Sequence, residues 1–374
     1  MSLKSQPIVI VGAGVIGLSA ALVLKQQGYS DVTIVAEYLP ESGGNSPYYT
    51  STKAGAHFRP FPSHNISDVR ESEYTRHTYR FLKELSAKHP ESSVRFVRGY
   101  DWIDDPSPLY TSLQKHYTKQ MPNFDVLDTK GLPKGITFAC GYDTWVVNAP
   151  LYVSFLYRRL AFHYGVKFIQ RKLASLEEAY TIVPGTAAAV INATATGLQY
   201  DGSLDPACFP IRGQTLLLRV PPTCPYLHKT ITHQNVASGE WTFVIPRPLD
   251  GGLILGGTKQ IGSTVADVID ADVEALATRA LKYFPEVFVG TKSTQGSQPV
   301  SAGLDIAKVN VGFRPARRGG SRVEAERVNK GQGSGRVIVH AYGIGGMGFE
   351  ASYGMALHVV ELLEGGHSGL QPKL

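Results

Sequence analysis

The sequence is poor in cysteine, in charge of one sign and in long apolar runs. Its 374 residues include three cysteines, which form neither an even set nor a CxxC pair. A disulfide framework, a zinc cluster and a dithiol redox centre are therefore not expected. The net charge is +6, without a run of five like charges, so we expect no nucleic-acid partner. The most apolar stretch, residues 15–24, is shorter than the ~20 residues of a membrane span, so we expect no membrane insertion.

The composition is that of a folded protein. Of the residues, 43% are hydrophobic and 18% are charged, which supplies a buried core and leaves too little charge for disorder. The length suits two or three structural units, and segments distant in sequence can share one unit. Without a charged leader before the first apolar run, we expect a chain that is not secreted and works in a reducing compartment, in the cytoplasm unless an address directs it elsewhere.

A glycine-rich loop near the start carries the most specific local pattern. The apolar run 7–11 precedes Gly12, Gly14 and Gly17, an apolar-periodic stretch follows over 18–27, and a second apolar run spans 32–36. This order predicts a strand, a turn, a helix and a strand, the dinucleotide-binding βαβ unit. The glycines permit the tight turn, the approach of a pyrophosphate and close packing of helix on strand, and the helix N-terminus attracts the anion. The alternative is a glycine turn without a ligand.

The loop defines the first set of candidate cofactor contacts. They are Gly12, Ala13, Gly14, Val15, Ile16 and Gly17. An acidic residue after the second strand should bind the adenosine ribose; Glu37 lies one position past the usual site, which Ala36 occupies. The loop alone does not distinguish NAD from FAD. A second glycine cluster at 343–348 favours FAD, because it offers cover for a flavin ring.

The remaining pattern alternates helices and strands and then becomes rich in β-formers. Helix-like spacing spans 66–90, 152–164, 265–283 and 350–363, and β-type segments lie at 94–97, 166–169, 187–193, 213–220, 241–257 and 337–342. The loop 41–55 is long for a compact chain, so we expect it to touch a ligand. These features predict an α/β protein of two discontinuous domains.

Several motifs, in order along the chain, carry a family resemblance. They are Gly12-Ala13-Gly14-Val15-Ile16-Gly17-Leu18, Gly165-Val166-Lys167-Phe168, Ile211-Arg212-Gly213-Gln214-Thr215, Val244-Ile245-Pro246-Arg247-Pro248, Gly256-Gly257-Thr258, Val311-Gly312-Phe313-Arg314-Pro315 and His340-Ala341-Tyr342-Gly343. On these motifs the sequence resembles the FAD-dependent D-amino-acid oxidases, including the D-aspartate oxidases. The stretch 312–327 is most similar to fungal members.

The resemblance implies a fold, a cofactor and a reaction. It implies a Rossmann-like FAD-binding domain from 1–56, 147–200 and 300–374, and an α+β substrate domain with a mostly antiparallel sheet from 57–146 and 201–299. It also implies a D-amino acid and O₂ as substrates, and H₂O₂, ammonia and a 2-oxo acid as products.

Arg314 is the implied binding group for the substrate carboxylate. A planar guanidinium donates two N–H groups to a carboxylate and stays charged at any working pH. The alternative for a lone arginine is a structural ion pair. A family tyrosine beside the Ile-Pro strand is replaced by Phe243, which keeps the aromatic wall and loses a hydroxyl.

The reaction implied by the resemblance needs no general base. The carbonyl of Gly346 accepts a hydrogen bond from the substrate amine, and the substrate Cα–H faces flavin N5 for direct hydride transfer. The helix N-terminus at Gly345, Gly348 and Phe349 stabilises the flavin at N1–C2=O. Glu350 departs from the neutral side chain of the family, and its carboxylate opposes the flavin charge unless it points away or caps the helix. The remaining implied cofactor contacts are Ser46, His57, Val166 and Thr196.

Lys259 is the candidate specificity residue. In the family the residue after Gly-Gly-Thr faces the side-chain pocket and is arginine in D-aspartate oxidases, so Lys259 favours the acidic substrates D-aspartate and D-glutamate. His233 is implied as a second basic partner. The alternatives are a solvated Lys259, a structural His233 and an oxidase for neutral D-amino acids. An alternative of another class is a flavin dehydrogenase or binding protein that passes electrons to a protein partner.

The end of the chain resembles a targeting signal. The last residues, Pro372-Lys373-Leu374, are similar to the Ser-Lys-Leu peroxisomal address with proline in place of serine. We therefore expect a peroxisomal import receptor as a partner and the peroxisome as the location. A homo-oligomer is left open.

Overall fold

The computed structural model describes residues 2–288, 299–328 and 336–365. Its strands are β1 (Ile8–Val11), β2 (Val32–Ala36), β3 (Ala56–His57), β4 (Arg95–Ile103), β5 (Asp125–Leu127), β6 (Phe138–Val147), β7 (Lys167–Gln170), β8 (Ala189–Asn192), β9 (Cys208–Leu218), β10 (Lys229–Asn235), β11 (Glu240–Pro246), β12 (Leu253–Gly256), β13 (Gln260–Ile261), β14 (Ile306–Arg317), β15 (Arg322–Val328) and β16 (Arg336–Tyr342). Its α-helices are α1 (Val15–Gln26), α2 (Ile66–Lys88), α3 (Pro108–Thr111), α4 (Lys115–Thr118), α5 (Ala149–Arg158), α6 (Asp270–Tyr283) and α7 (Gly348–Leu363).

A six-stranded sheet forms the nucleotide-binding part. Its order is β15-β16-β8-β1-β2-β7, and neighbouring strands are parallel except at the β15–β16 edge. Every residue of β1, β2 and β8 is buried, because α1 and α7 cover one face and the segment 173–183 covers the other. Continuous apolar runs are typical of strands buried on both faces. The predicted βαβ unit is confirmed.

A larger sheet of ten strands forms the second part. Its main order is β13-β9-β12-β11-β10-β4-β6-β3, with β14 paired to β9 and β5 paired to β6. Its pairs are antiparallel apart from β10 with β4. This combination of a Rossmann-like unit and a mostly antiparallel sheet confirms the predicted fold class. No helix in the described ranges is long and apolar enough to cross a membrane.

The two faces of the ten-stranded sheet have different coverings. On one face, which we call the α6 face, Val244 and Leu255 pack against Leu276 and Ala280 of α6. On the other face, which we call the loop face, the chain that leads into β3 lies against the sheet. Gly55 marks the closest approach, since a Cβ there would lie 3.0 Å from Ile254. Side chains of a strand alternate between the faces, so each position on β10, β11 and β14 belongs to one face.

The structure corrects several predicted boundaries. Helix α1 begins at Val15, three residues before the predicted start. The helix predicted over 265–283 begins only at Asp270, because the segment before it is held as a loop by hydrogen bonds from Arg212 to the carbonyls of Val265 and Asp267. Strands β3, β5, β6, β10, β13, β14 and β15 were not predicted.

One stretch departs from the predicted domain division. Residues 300–374 were assigned to the FAD-binding domain, but β14 (Ile306–Arg317) pairs with β9 along its length in the ten-stranded sheet. The C-terminal part of that range, β15, β16 and α7, lies with the six-stranded sheet as predicted. The division into functional domains itself stays a prediction.

Candidate active site

The glycine loop lies between β1 and α1 and is closely packed. Gly12 has a φ of +114°, and a Cβ there would lie 2.3 Å from the Ala193 carbonyl oxygen. A Cβ at Gly17 would lie 1.9 Å from the Gly12 carbonyl oxygen. Neither position accepts a side chain, so an anion can approach the backbone of the loop closely at the N-terminus of α1.

Two residues of the long loop 41–55 contact the glycine loop and were not predicted. The Ser51 hydroxyl accepts a hydrogen bond from the Val15 N–H at 3.1 Å, and the Tyr49 hydroxyl donates to the Ala13 carbonyl at 2.7 Å. The predicted Ser46 lies earlier in the loop, where its hydroxyl accepts from the Tyr48 N–H. The expectation that this loop touches a ligand remains a prediction, although the loop lies beside the expected phosphate position.

The predicted ribose contact stands at the carboxyl edge of the six-stranded sheet. Glu37 follows β2 directly, and its Oε2 lies 3.2 Å from the Lys172 ammonium. Thr196 follows β8 at the same edge, and its side chain is exposed. Because parallel strands present their carboxyl ends together, both residues stand where a dinucleotide is bound in such sheets.

Val166 does not stand at this edge, which corrects the prediction. It precedes β7, whose Lys167 pairs in parallel with Thr33 near the start of β2. The four residues of β7 span about 13 Å, which separates Val166 from the carboxyl edge. Its side chain is buried in the core below α5, and its amide donates to the Leu160 carbonyl. The residues after β7, including Lys172, lie at the carboxyl edge instead.

The second glycine cluster brings the start of α7 to the start of α1. A Cβ at Gly348 would lie 3.7 Å from the Val15 side chain, so the two helix N-termini are neighbours. Phe349 is buried and packs against Tyr152, and Gly345 has a φ of +64° that suits glycine. The N-termini of α1 and α7 therefore place their positive partial charges side by side.

Arg314 lies on the loop face of the ten-stranded sheet, on β14. Its guanidinium covers Gly213 of β9, where a Cβ would lie 2.4 Å from Nη1. Nη1 donates to the Thr258 carbonyl at 3.1 Å, and no carboxylate in the described ranges pairs with the side chain. Burial lowers the pKa of Arg314 from its ordinary value, yet the group remains protonated at neutral pH. A structural ion pair is therefore not found, and the guanidinium is open to an anion.

Gly346 stands beside Arg314, and Phe243 lies on the same face of the sheet. A Cβ at Gly346 would lie 3.6 Å from Cδ of Arg314. The Phe243 ring covers Gly256 and Gly257, where a Cβ would lie 2.4 and 3.1 Å away. The ring leaves no room for a side chain at Gly256 and little at Gly257, and it forms an aromatic wall on the loop face.

Lys259 extends this wall toward Trp241, two positions before Phe243 on β11. The Lys259 ammonium lies 5.8 Å from the Trp241 ring centroid, and its side chain is exposed. The Arg59 guanidinium lies 4.6 Å from the same ring. Sequence reasoning missed both Trp241 and Arg59. The alternating pattern offered a signal, because Arg59 lies two positions after His57 in an extended segment.

His233 lies on the α6 face, which corrects its predicted place in the pocket. It pairs directly with Thr242 rather than with Phe243, so it points to the other side of the sheet. Its ring stacks on Tyr283 of α6 with centroids 3.8 Å apart, and Nε2 lies 2.7 Å from Asp104. His233 is a structural histidine here and takes no part in the loop-face site.

His57 is buried beside the site and is neutral. Its Nδ1 lies 2.9 Å from the Thr230 hydroxyl on the loop face. Burial, helped by the nearby Arg59 cation, lowers the pKa of His57 to about 3. The imidazole is therefore uncharged at any working pH.

Glu350 lies in the first turn of α7 and points away from its own helix. Its Oε2 accepts a hydrogen bond from the Arg59 N–H at 3.3 Å. The residue at the N-cap position is Met347, so Glu350 does not cap the helix. Burial raises the pKa of Glu350 to about 8, so the side chain is mostly neutral at pH 7. A neutral Glu350 side chain repels a negative charge on the flavin less than the expected carboxylate would.

The residues present fit FAD. The glycine loop and the α1 N-terminus suit a pyrophosphate, the α7 N-terminus lies next to it, and the open guanidinium of Arg314 lies beyond on the loop face. Such a site, between a Rossmann-like unit and an antiparallel sheet, defines the class of two-domain flavin-dependent oxidoreductases. The roles of the individual residues toward the cofactor stay predictions.

Sequence comparisons agree with this class. The chain matches the family described as "DAO: FAD dependent oxidoreductase" over residues 7–362. It is 35% identical to the D-aspartate oxidase of Talaromyces thermophilus over 95% of this chain and 94% of that protein. It is 33% identical to the D-amino-acid oxidase of Schizosaccharomyces pombe, over 96% of both. The chain belongs to the DAO family of FAD-dependent oxidoreductases, and FAD is its cofactor.

Solved structures share the fold at low sequence identity. Glycine oxidase from Geobacillus kaustophilus superposes with a TM-score of 0.70 at 18% identity, covering 98% of this chain and 96% of that one. L-proline dehydrogenase from P. horikoshii has a TM-score of 0.71 at 16% identity, covering 98% and 95%. These likenesses show that the arrangement of the two sheets is a shared framework.

Proposed function

We propose that this protein is an oxidase that deaminates D-amino acids and prefers the dicarboxylic ones, D-aspartate and D-glutamate. The observation that carries the proposal is the Arg314 guanidinium, which is open on the loop face without a carboxylate partner in the described ranges and stands next to Gly346. The names of the two fungal relatives support the substrate class. Lys259, which extends the same wall, supports the acidic preference.

The side chains of the site explain how such a substrate is held. Arg314 binds the α-carboxylate by two parallel N–H donors, which fixes the orientation of the substrate. The Gly346 carbonyl accepts a hydrogen bond from the amine, and Phe243 limits the pocket on one side. The cations Arg314, Lys259 and Arg59 disfavour an ammonium group, so the substrate amine is bound more readily in its neutral, reactive form.

The chain supplies position and charge rather than a base. The Nδ1 atom of His57 lies in hydrogen-bonding distance of the Thr230 hydroxyl, and the Glu350 carboxyl is mostly protonated at pH 7. FAD, when bound, would accept the hydride removed from the Cα–H bond, while the amine nitrogen loses a proton; water then hydrolyses the resulting imino acid to the 2-oxo acid and ammonia. The proposed overall products are a 2-oxo acid, ammonia and, with O₂ as the final acceptor, H₂O₂.

An oxidase for neutral D-amino acids is the second candidate. The exposure of Lys259 favours it, because an exposed ammonium stays hydrated and need not face the substrate. The relative from S. pombe, a D-amino-acid oxidase, is almost as similar as the D-aspartate oxidase. Measuring H₂O₂ formation with D-aspartate and with D-alanine separates the two, and faster turnover of D-alanine would overturn the acidic preference.

The Lys259→Met variant gives the sharper test. We expect KM for D-aspartate to rise about twofold to threefold, the effect of one exposed charge, with KM for D-alanine almost unchanged. Lys282→Met is the matched control, because Lys282 contacts Tyr283 on the α6 face. Equal changes of KM for both substrates in Lys259→Met would contradict the proposal.

The third candidate function is a flavin dehydrogenase, which passes its electrons to a protein partner. Turnover with O₂ is compared with turnover with an artificial acceptor such as a quinone. The oxidase proposal expects rapid turnover with O₂ and stoichiometric H₂O₂. Turnover with the artificial acceptor alone would favour the dehydrogenase.

The peroxisomal location is proposed from the last three residues. Pro372-Lys373-Leu374 lie outside the described ranges, so the support is the sequence itself. A fluorescent protein fused to the N-terminus should colocalise with catalase and become diffuse when the three residues are deleted. Unchanged punctate fluorescence after the deletion would contradict the proposal.

A further inference from the structure

Arg59 is a buried cation on the loop face to which no binding contact with the substrate has been assigned above. Only 6% of the residue is exposed. Its Nε donates to Asp101 Oδ2 at 3.0 Å, and Nη2 donates to the Tyr110 hydroxyl and to the Gln234 side chain at 3.1 and 2.9 Å. These contacts fix the plane of the guanidinium. Burial works against its charge, but the Asp101 carboxylate outweighs this and raises the pKa of Arg59 well above its ordinary value.

The partners of Arg59 are themselves fixed. Asp101 is fully buried, and its second oxygen accepts from the Tyr142 hydroxyl at 2.8 Å. With Nε and Nη2 engaged, the remaining nitrogen, Nη1, donates to no group in the described part of the chain. Arginine has five N–H groups, so Nη1 keeps two donors for a ligand.

Contacts connect Arg59 with the α-carboxylate position. Arg314 donates to the Thr258 carbonyl, the next residue is Lys259, and the Lys259 ammonium lies against the ring of Trp241. Arg59 lies against the same ring. Cations therefore stand at both ends of this wall. Arg314 lies at one end, and Arg59 lies with Lys259 at the other.

We propose that Arg59 is the principal specificity residue for the side-chain carboxylate of a dicarboxylic D-amino acid, which it binds through Nη1. This inference rests on the proposed function. A buried, fixed guanidinium loses little freedom when it binds a carboxylate, whereas the exposed Lys259 ammonium is mobile and hydrated. The exposed Lys259 then contributes only a screened charge.

The test compares two ligands that differ by one carboxylate. Succinate and butyrate have the same number of carbons, so the ratio of their dissociation constants measures recognition of the second carboxylate. Binding to the holoenzyme is followed by the absorbance change of the bound flavin, which does not depend on turnover. The wild type should bind succinate at least about tenfold more tightly than butyrate, as expected for one charge-assisted contact.

The decisive variant is Arg59→Met combined with Asp101→Asn, which removes both members of the buried ion pair. We expect its affinity for succinate to fall about tenfold and its affinity for butyrate to stay within about twofold. Lys259→Met should reduce succinate affinity by only about twofold to threefold, as for an exposed charge. Arg279→Met, a cation of the α6 face paired with Glu240, is the control and should leave the ratio unchanged.

The conservative variant Arg59→Lys keeps the experiment informative if the double variant fails to fold. It retains the charge and loses the fork, so the preference for succinate should fall while FAD stays bound. The inference would be overturned if the double variant or Arg59→Lys kept the wild-type ratio of the dissociation constants of succinate and butyrate. Loss of the preference for succinate in Lys259→Met would then identify Lys259 as the specificity residue. A wild type without any preference for succinate, and with faster turnover of D-alanine, would instead overturn the proposed function.

Discussion

The Arg314 guanidinium lies directly on the backbone of Gly213. The two residues are diagonal neighbours, because Arg314 pairs with Ile211 and Gly312 pairs with Gly213 in the β9–β14 ladder. A Cβ at Gly213 would lie 2.4 Å from Nη1 and 2.6 Å from Cζ. The glycine therefore provides the space that the guanidinium occupies, and the arginine is placed by strand pairing and by the Thr258 carbonyl.

Gly213→Ala should displace the guanidinium without removing its charge. Because every substrate presents an α-carboxylate, we expect KM to rise by about tenfold or more for D-aspartate and D-alanine alike, as when a bidentate charged contact is lost. Steady-state kinetics on the flavin-loaded protein measure the effect. Gly44→Ala is the control, since a Cβ there meets nothing within 4 Å. A change of KM for D-aspartate only would show that Arg314 does not bind the α-carboxylate.

Glu350 should make stability depend on pH. Burial raises the pKa of Glu350 to about 8 from 4.5, so the folded protein keeps a proton that the unfolded chain loses between these values. The free energy of unfolding should therefore fall as pH rises from about 4.5 to about 8. Glu350→Gln should remove this loss and be more stable than the wild type by about 1–3 kcal/mol at pH 9, with little difference at pH 5.

Denaturation in urea at fixed excess FAD measures the difference at the two pH values. Glu84→Gln, an exposed position of α2, controls for the loss of one negative charge. The same stabilisation by Glu350→Gln at pH 5 and at pH 9 would contradict the assignment.

Loss of one member of the buried Arg59–Asp101 ion pair should destabilise the fold more than loss of both members. Arg59→Met leaves the buried Asp101 carboxylate unpaired, so we expect the free energy of unfolding to fall by about 3–5 kcal/mol. The additional change Asp101→Asn should restore part of this loss. Lys167→Met breaks an exposed pair with Asp31 and should cost less than about 1 kcal/mol. An equal loss in the single and double Arg59 variants would contradict the role of the unpaired carboxylate.

The local pattern was sufficient for the nucleotide-binding unit. Apolar runs on either side of Gly12, Gly14 and Gly17 gave β1, α1 and β2, since their contacts are close in sequence. The start of α1 was placed three residues too late, because the first turn of the helix lies within the glycine motif itself. Ser51, which accepts the Val15 N–H, was not predicted, as a hydroxyl 36 residues away gives no local signal.

The face on which a residue lies was decided by register. His233 and Phe243 are ten positions apart, an even spacing that would place them on one face of a single strand. A hairpin lies between them, and its register pairs His233 with Thr242, so the two side chains point to opposite faces. Arg59 was missed for a related reason, because its partners Asp101 and Gln234 come from distant strands.

The sequence by itself determined the family, the glycine loop and the identity of the open arginine, because these depend on short motifs whose residue types have few alternatives. Only the tertiary structure decided that Arg314 rests on Gly213, that His233 leaves the pocket and that Arg59 enters it. Those three outcomes depend on strand register and on contacts between segments far apart in the chain, and a shift of one residue in strand pairing exchanges every side chain between the two faces of the sheet.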